Sequence, residues 1–298
     1  MKRRITGGMI ILMFAVLAAP IGGQAQDLQD YDYETNADNT ITITLYTGTN
    51  AVVAIPAEIT GLPVTCIGSN AFSSLAKLTG VTIPGSVNSI GDSAFWACTS
   101  LTKLSIANGV ASIGDTAFYE CITLTCVTIP SSVTNIGAGA FGECGSLTNA
   151  TIGGGVLSIG ENAFTLCRKL TAVYFQGNAP SADWSVFNSL TGPDDPATIY
   201  YLPGTTGWGD FSTSTGHPAL LWNPLIQTGD GSFGVRNNQF GFNITGTTNI
   251  PIVVEASTSL AGPVWTPLQS LTLTNGSYYF SEPFQPGSPG RFYRIGSQ

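Results

Sequence analysis

The chain has 298 residues, room for one or two folded domains, and 43% of them are apolar, enough to fill a sizeable core. Charged residues make up only 9% and there are 36 glycines, a balance that excludes a charge-rich disordered chain and favours strands and turns over long helices. The formal net charge of −8 argues against nucleic acid or anionic lipid as a partner.

Residues 1–25 read as a secretion signal. Lys2, Arg3 and Arg4 form a basic start, Met9 to Ala19 an apolar run, and Gly23-Gln24-Ala25 a small-x-small cleavage site. Cleavage after Ala25 leaves seven of the ten basic residues against all 18 acidic ones, a mature net charge of −11. No later stretch is apolar and long enough to span a membrane. Residues 26–40 then read as a solvated acidic leader. Asp30, Asp32, Glu34, Asn36 and Asp38 alternate as in a calcium loop, but Thr35 and Ile41 stand where such a loop needs Gly and Glu.

From residue 41 the sequence repeats. Ile67-Gly68, Ile90-Gly91, Ile113-Gly114, Ile136-Gly137 and Ile159-Gly160 follow one another at a constant i to i+23 offset, as do the Ala-Phe pairs from Ala71-Phe72 to Ala163-Phe164. Leu78, Leu101, Leu124, Leu147 and Leu170 keep the same period. Within a unit, Leu124-x-x-Val127-x-Ile129 alternates like a short strand with Val127 and Ile129 inward and Thr128 outward. One unit cannot bury so many apolar groups alone, whereas stacked units can, and that is the physics of a solenoid.

The Ile-Gly-x-x-Ala-Phe-x-x-Cys-x-x-Leu unit resembles the BspA-like leucine-rich repeats of bacterial surface and secreted proteins. The resemblance covers residues 41–203 and implies a mainly β, right-handed solenoid of 23-residue coils with a parallel sheet on one face. It also implies adhesion or protein binding as the activity. Residues 41–66 fit a partial opening coil, with Ile55-Pro56 echoing Ile83-Pro84. Phe187 and Leu190 begin a degenerate sixth coil that regains a strand at Thr198 to Leu202. Residues 204–224 read as a cap and linker rich in Gly, Thr, Ser and Pro. Residues 225–298 read as a small antiparallel β domain with strands near 240–244, 252–256, 268–273, 278–281 and 291–295. Asn275-Gly276 is a hairpin signal there. The last of these strands carries a Gly290–Arg294 motif that looks like a module ending many secreted bacterial proteins.

Chemistry-bearing groups are few. The single histidine, His217, stands beside Pro218 with no base-and-orienter context, and no G-x-S-x-G occurs. Gly137 to Gly142 matches G-x-G-x-x-G, but its Gly137 and Ala140-Phe141 belong to the repeat. Asp92, Asp115, Glu120 and Glu143 recur near the turns; a glycosidase would need two of them converging in a cleft. Cys98, Cys121, Cys144 and Cys167 keep the repeat period with Leu75 at the same offset, which marks an apolar site. Stacked side chains point in parallel, so the reading is a reduced ladder rather than bridges. The absence of any C-x-x-C argues against zinc. No catalytic residue, cofactor or metal is expected.

What the repeat offers is a surface. Its outward strand positions form two columns, from which Thr82, Lys103, Ser105, Thr128, Asn149, Thr151 and Tyr174 are the candidate binding residues. The expected partner is a protein or glycan on a cell surface or matrix. The alternative is a cell-envelope spacer whose C-terminal domain does the attaching.

Overall fold

The computed structural model describes residues 28–188, 197–284 and 290–296. The proposed signal segment lies outside them. Each repeat unit makes one coil with two short strands, and a residue on one coil faces its counterpart one period later. Cys126 pairs with Asn149, Thr128 with Thr151, and Ile113 with Ile136, all in parallel register.

The chain opens with β1 (Tyr31–Thr35), β2 (Ile41–Tyr46), β3 (Val52–Ala54), β4 (Glu58–Ile59) and β5 (Leu62–Ile67). The coils follow with β6 (Gly80–Ile83), β7 (Ser89–Ile90), β8 (Lys103–Ile106), β9 (Ser112–Ile113), β10 (Cys126–Ile129), β11 (Asn135–Ile136), β12 (Asn149–Ile152), β13 (Ser158–Ile159) and β14 (Ala172–Phe175). The stack ends with β15 (Thr198–Tyr201), α1 (Trp208–Thr215) and β16 (Ala219–Leu221).

Two ladders run along the stack. The expected face strands form one sheet of β3-β6-β8 and another of β10-β12-β14-β15-β16. The Ser-Ile and Asn-Ile pairs before each Gly form a second ladder, β1-β2-β5-β7-β9-β11-β13, where the sequence suggests only turns. Two-residue strands carry no alternation to read. They exist because each coil has a neighbour to pair with.

Between the ladders lies the core. Phe72, Phe95, Phe118, Phe141, Phe164 and Phe187 form one continuous row with centroids 4.9 to 5.7 Å apart, each pair stacked within 19° of parallel. Tyr46 stacks on Phe72 at 5.2 Å at one end, and the His217 ring meets Phe187 edge-on at 5.1 Å at the other. The Ala before each of the first five rings is fully buried, and Val186 takes the same place before Phe187.

The glycine of each Ile-Gly pair has a steric cause. A Cβ on Gly137 would lie 2.5 Å from the Gly114 carbonyl carbon and 2.6 Å from the Asp115 nitrogen, and one on Gly160 would lie 2.5 Å from the Ala138 nitrogen. The neighbouring coil's backbone passes where a side chain would begin. The left-handed positions fall elsewhere, in two columns that the sequence does not announce. Asn70, Ser93, Thr116 and Asn162 have φ of 52–60° and Gly139 has φ 61°; Ser74, Ala97, Glu120, Glu143 and Leu166 have φ of 54–59°.

The cysteine column is buried, as its exchange with leucine implies, and each thiol is also a donor. Cys98, Cys121, Cys144 and Cys167 donate to the carbonyls of Phe72, Phe95, Phe118 and Phe141 at 3.1–3.5 Å. All six cysteines are free thiols. Burial pushes the Cys98 thiol up to about 12 and raises that of Cys121, while a hydrogen bond with Cys167 together with burial raises that of Cys144. The thiolate is the reactive form, so these groups should be inert in the folded protein. Iodoacetamide should label exposed Cys126 in the native state, and all six residues once the chain is unfolded, as read by mass spectrometry. Fewer than six labels in denaturant would mean a bridge.

Two boundary expectations change. The 26–40 segment is no free leader: β1 pairs antiparallel with β2, and Tyr31 is buried against Tyr46 and Phe72. Asp32 and Glu34 are exposed, as are Tyr33 and Thr35, while Tyr31 covers the open end of the core, a need that charge content does not reveal. Likewise residues 204–222 are part of the stack rather than a linker. Helix α1 runs between Gly207 (φ 88°) and Gly216 (φ 74°) and buries Trp208, Phe211 and Thr215, a spacing that makes one helical face. Trp208 stacks on Tyr201 at 5.0 Å, and β16 extends the sheet by pairing with β15.

A separate compact unit begins at Asn223. It holds β17 (Leu225–Ile226), β18 (Gly234–Arg236), β19 (Gln239–Thr245), β20 (Ile250–Ser257), β21 (Thr266–Leu273), β22 (Ser277–Pro283) and β23 (Phe292–Gly296). One antiparallel sheet joins β17, β18 and β22 to β19, and another has the order β21-β20-β23. The Asn275-Gly276 hairpin does not form. Its flanking strands β21 and β22 belong to different sheets, so the turn carries the chain from one to the other, with Gly276 at φ 70°. The hairpin sits instead at Asn237-Asn238, both left-handed, between β18 and β19.

The Gly290–Arg294 motif closes this unit. The Tyr293 ring packs on Phe240 at 4.9 Å and its hydroxyl donates to Glu282 at 2.5 Å. Arg291 reaches the other oxygen of Glu282 at 2.6 Å, and Arg294 pairs with Glu255 while lying 4.5 Å over the Trp265 ring.

Candidate recognition face

The outward strand positions are the extended, accessible surface that the repeat builds. Lys103, Cys126 and Thr128 are exposed; Thr82, Ser105, Asn149 and Thr151 are half-buried. Register fixes their relation: Thr82 lies opposite Ser105, and Thr128 opposite Thr151. Below them Val81, Ile83, Val127, Ile129, Ala150 and Ile152 are buried, so the exposed side chains stand on a packed sheet.

Tyr174 departs from this pattern. It is opposite Thr151 in register, as expected, but only 3% exposed. Its ring stacks on Tyr200 at 5.1 Å and meets Trp222 edge-on at 6.3 Å, because the aromatic cap folds over this end of the column. The face therefore ends at Thr151. Trp222 lies far downstream in sequence, outside the repeat, and no periodicity could place it.

The threonines that precede the face strands add a second ladder. Thr79, Thr102, Thr148 and Thr171 each donate a side-chain hydroxyl to the backbone carbonyl one coil earlier, at 2.9–3.2 Å. Such bonds tie the strand starts of successive coils together.

Across the coil, the carboxylates are engaged with their own stack. Asp92 accepts the Asp115 N–H at 2.9 Å, and Asp115 accepts the Ala138 N–H at 2.7 Å. Glu143 takes the Tyr119 hydroxyl at 2.5 Å. Asp92, Asp115 and Glu143 thus satisfy backbone and side-chain donors of neighbouring turns. His217 interacts through Nδ1 with the Thr215 carbonyl at 3.0 Å and covers the end of the phenylalanine row. Gly137, of the G-x-G-x-x-G match, is one of the close-approach glycines described above.

The coil length, the buried Ala-Phe row and the Cys-x-x-Leu segment coincide with a family model, the BspA type leucine rich repeat region, whose six copies match residues 65–192. The solenoid is a BspA-type leucine-rich-repeat region. Among solved structures, a leucine-rich-repeat protein of T. pallidum is 26% identical, with a TM-score of 0.55, over 66% of this chain and 98% of that one. A leucine-rich-repeat protein from Bacteroides capillosus is 31% identical over 43% of this chain and 98% of that one, with a TM-score of 0.38. A leucine-rich cell surface protein from Faecalibacterium prausnitzii is 31% identical over 55% and 58% of the two chains, with a TM-score of 0.36. The chain matches none of the curated proteins with which it was compared. BspA-type repeats thus account for residues 65–192 of the solenoid, and its first strands, its closing helix α1 and the C-terminal unit lie beyond the matched residues. Among the described residues, no helix is long and apolar enough to cross a membrane.

Proposed function

We propose that the mature chain is a secreted or cell-surface recognition protein of bacteria, without catalysis, that binds a protein or glycan of a cell surface or matrix. The observation that carries this reading is the register-aligned array of polar side chains, Thr82, Lys103 and Ser105 on one packed sheet and Thr128, Asn149 and Thr151 on the next. The repeat class and the basic, then apolar, start of the sequence support it. Threonine hydroxyls and the Asn149 amide offer donors and acceptors to backbone or sugar hydroxyls. The face has neither tryptophan nor arginine, so its affinity comes from many modest contacts rather than from a few anchors.

The test is the double substitution Thr128→Glu and Thr151→Glu in the mature protein. It places two carboxylates opposite each other on the face without touching the core. Binding to whole cells of the source organism should fall by about tenfold or more, roughly 1.4 kcal/mol, with the thermal midpoint measured as a control for folding. Unchanged binding would remove this face and favour the spacer reading, in which the unit beginning at Asn223 does the attaching.

A further inference from the structure

Among the described residues, the face sheet is interrupted once. No hydrogen-bonded pair joins β8 to β10, although every other neighbouring pair of face strands from β3 to β16 is bonded. The threonine ladder fails at the same joint. Thr102 reaches back to Thr79 and Thr148 to Thr125, but no bond joins Thr125 to Thr102 through either backbone or side chain. Just beyond the strands, Ala107, Gly153 and Gln176 give their N–H groups to Ile83, Ile129 and Ile152. At this joint the donor position is Pro130, which has no N–H for Ile106. Accordingly Leu104 and Ile106 are only half-buried, whereas Val127 and Ile129 on the next coil are fully buried.

On the face side the joint is bridged only outside the strands, by the Thr123 hydroxyl donating to the Leu101 carbonyl and by Ser132, which accepts from the Gly109 N–H and donates to the Val110 carbonyl. The other side of the same joint is intact. Phe95 and Phe118 stack at 5.1 Å and within 3° of parallel, β9 pairs with β11, and the Cys121 thiol bonds the Phe95 carbonyl. From this asymmetry we propose that the joint between the β8 and β10 coils is a hinge. The coils stay tied along the phenylalanine row and the Ser-Ile ladder, and open along the face. The opening divides the face into two panels, Thr82, Lys103 and Ser105 on one and Thr128, Asn149 and Thr151 on the other. Pro130 withholds one donor here, as Pro84 does at the bonded β3–β6 joint, so at this joint the loss adds to the missing strand pairing. The hinge stands whether or not the face binds a partner, because it is read on the free protein.

Backbone amide hydrogen exchange on the full mature chain tests it. The amides of Thr125 and Cys126 should exchange about a hundredfold faster than those of Thr102 and Thr148, which have carbonyl partners one coil back. Across the same joint, the amides of Phe95 and Ala97, bonded to Ala117 and Tyr119, should stay slow. Pro130→Ala supplies the missing N–H at a site where another coil carries Ala107, so it should fold and should slow Thr125 and Cys126 by about tenfold. Thr125 and Cys126 exchanging as slowly as Thr102 and Thr148 would overturn the hinge, and so would a Pro130→Ala protein whose exchange is unchanged.

Discussion

Phe118→Ala is expected to cost about 3–5 kcal/mol of stability, the range for deleting a buried aromatic side chain. Phe118 is fully buried and has rings on both sides, Phe95 at 5.1 Å and Phe141 at 5.2 Å. Truncation removes the apolar transfer energy and two stacked contacts at once, each stacked pair contributing about 0.5–1.5 kcal/mol beyond its area. Beside the ring the coils are tied by the Phe95 N–H to the Ala117 carbonyl and the Phe118 N–H to the Ala140 carbonyl, which limits how far the cavity can collapse. Urea unfolding of the mature chain reads the loss. Phe118→Leu, which keeps most of the volume, should cost less than half as much. Equal costs for the two substitutions would show that the row is not packed as a stack.

Gly137→Ala should be nearly as damaging for the opposite reason. Its Cβ would meet backbone atoms of Gly114 and Asp115 at 2.5 and 2.6 Å, and backbone cannot rotate away as a side chain does. Overpacking of this kind costs about 1–3 kcal/mol, and more where the obstacle is rigid. Gly145 supplies the control. It lies in the same coil with nothing within 4 Å of its would-be Cβ, so Gly145→Ala should change stability by less than about 0.5 kcal/mol. Thermal unfolding of the two variants side by side separates close approach from a general effect of losing glycine. A Gly137→Ala protein as stable as Gly145→Ala would contradict the coil spacing itself.

The sequence carries the stack openly because stacking is a demand each coil makes of the next. Ala-Phe and Ile-Gly recur once per coil for reasons visible in the structure: the ring needs a ring above it, and the glycine needs backbone beside it. What depends on a single distant contact is not written that way. Tyr174 occupies an outward position by register and is buried all the same, because Trp222 comes from outside the repeat. Asn275-Gly276 declares a tight turn but not which strands it joins, and the pairing of β21 with β20 and of β22 with β19 is a tertiary choice. The acidic leader misled through composition, since one buried tyrosine outweighs the exposed charges that follow it on β1. Of the candidate face, Lys103, Thr128 and their half-buried neighbours were legible from alternation alone. The gap between β8 and β10 was not, because Pro84 and Pro130 look alike in sequence and only one of them stands at the broken joint.

The strict pairing of each residue with its counterpart one period on carries an implication for how such a chain can change length. Because the coils from Ile67 to Leu170 repeat the same offsets in ring stacking, thiol bonds and glycine contacts, cutting out or duplicating one whole unit among them would rejoin like to like: ring on ring, thiol on carbonyl, glycine on backbone. A deletion one position shorter or longer than the unit would shift all of those partners at once. Growth or shrinkage of the molecule is therefore quantised, and its reach can be altered by recombination between repeats with no compensating change elsewhere.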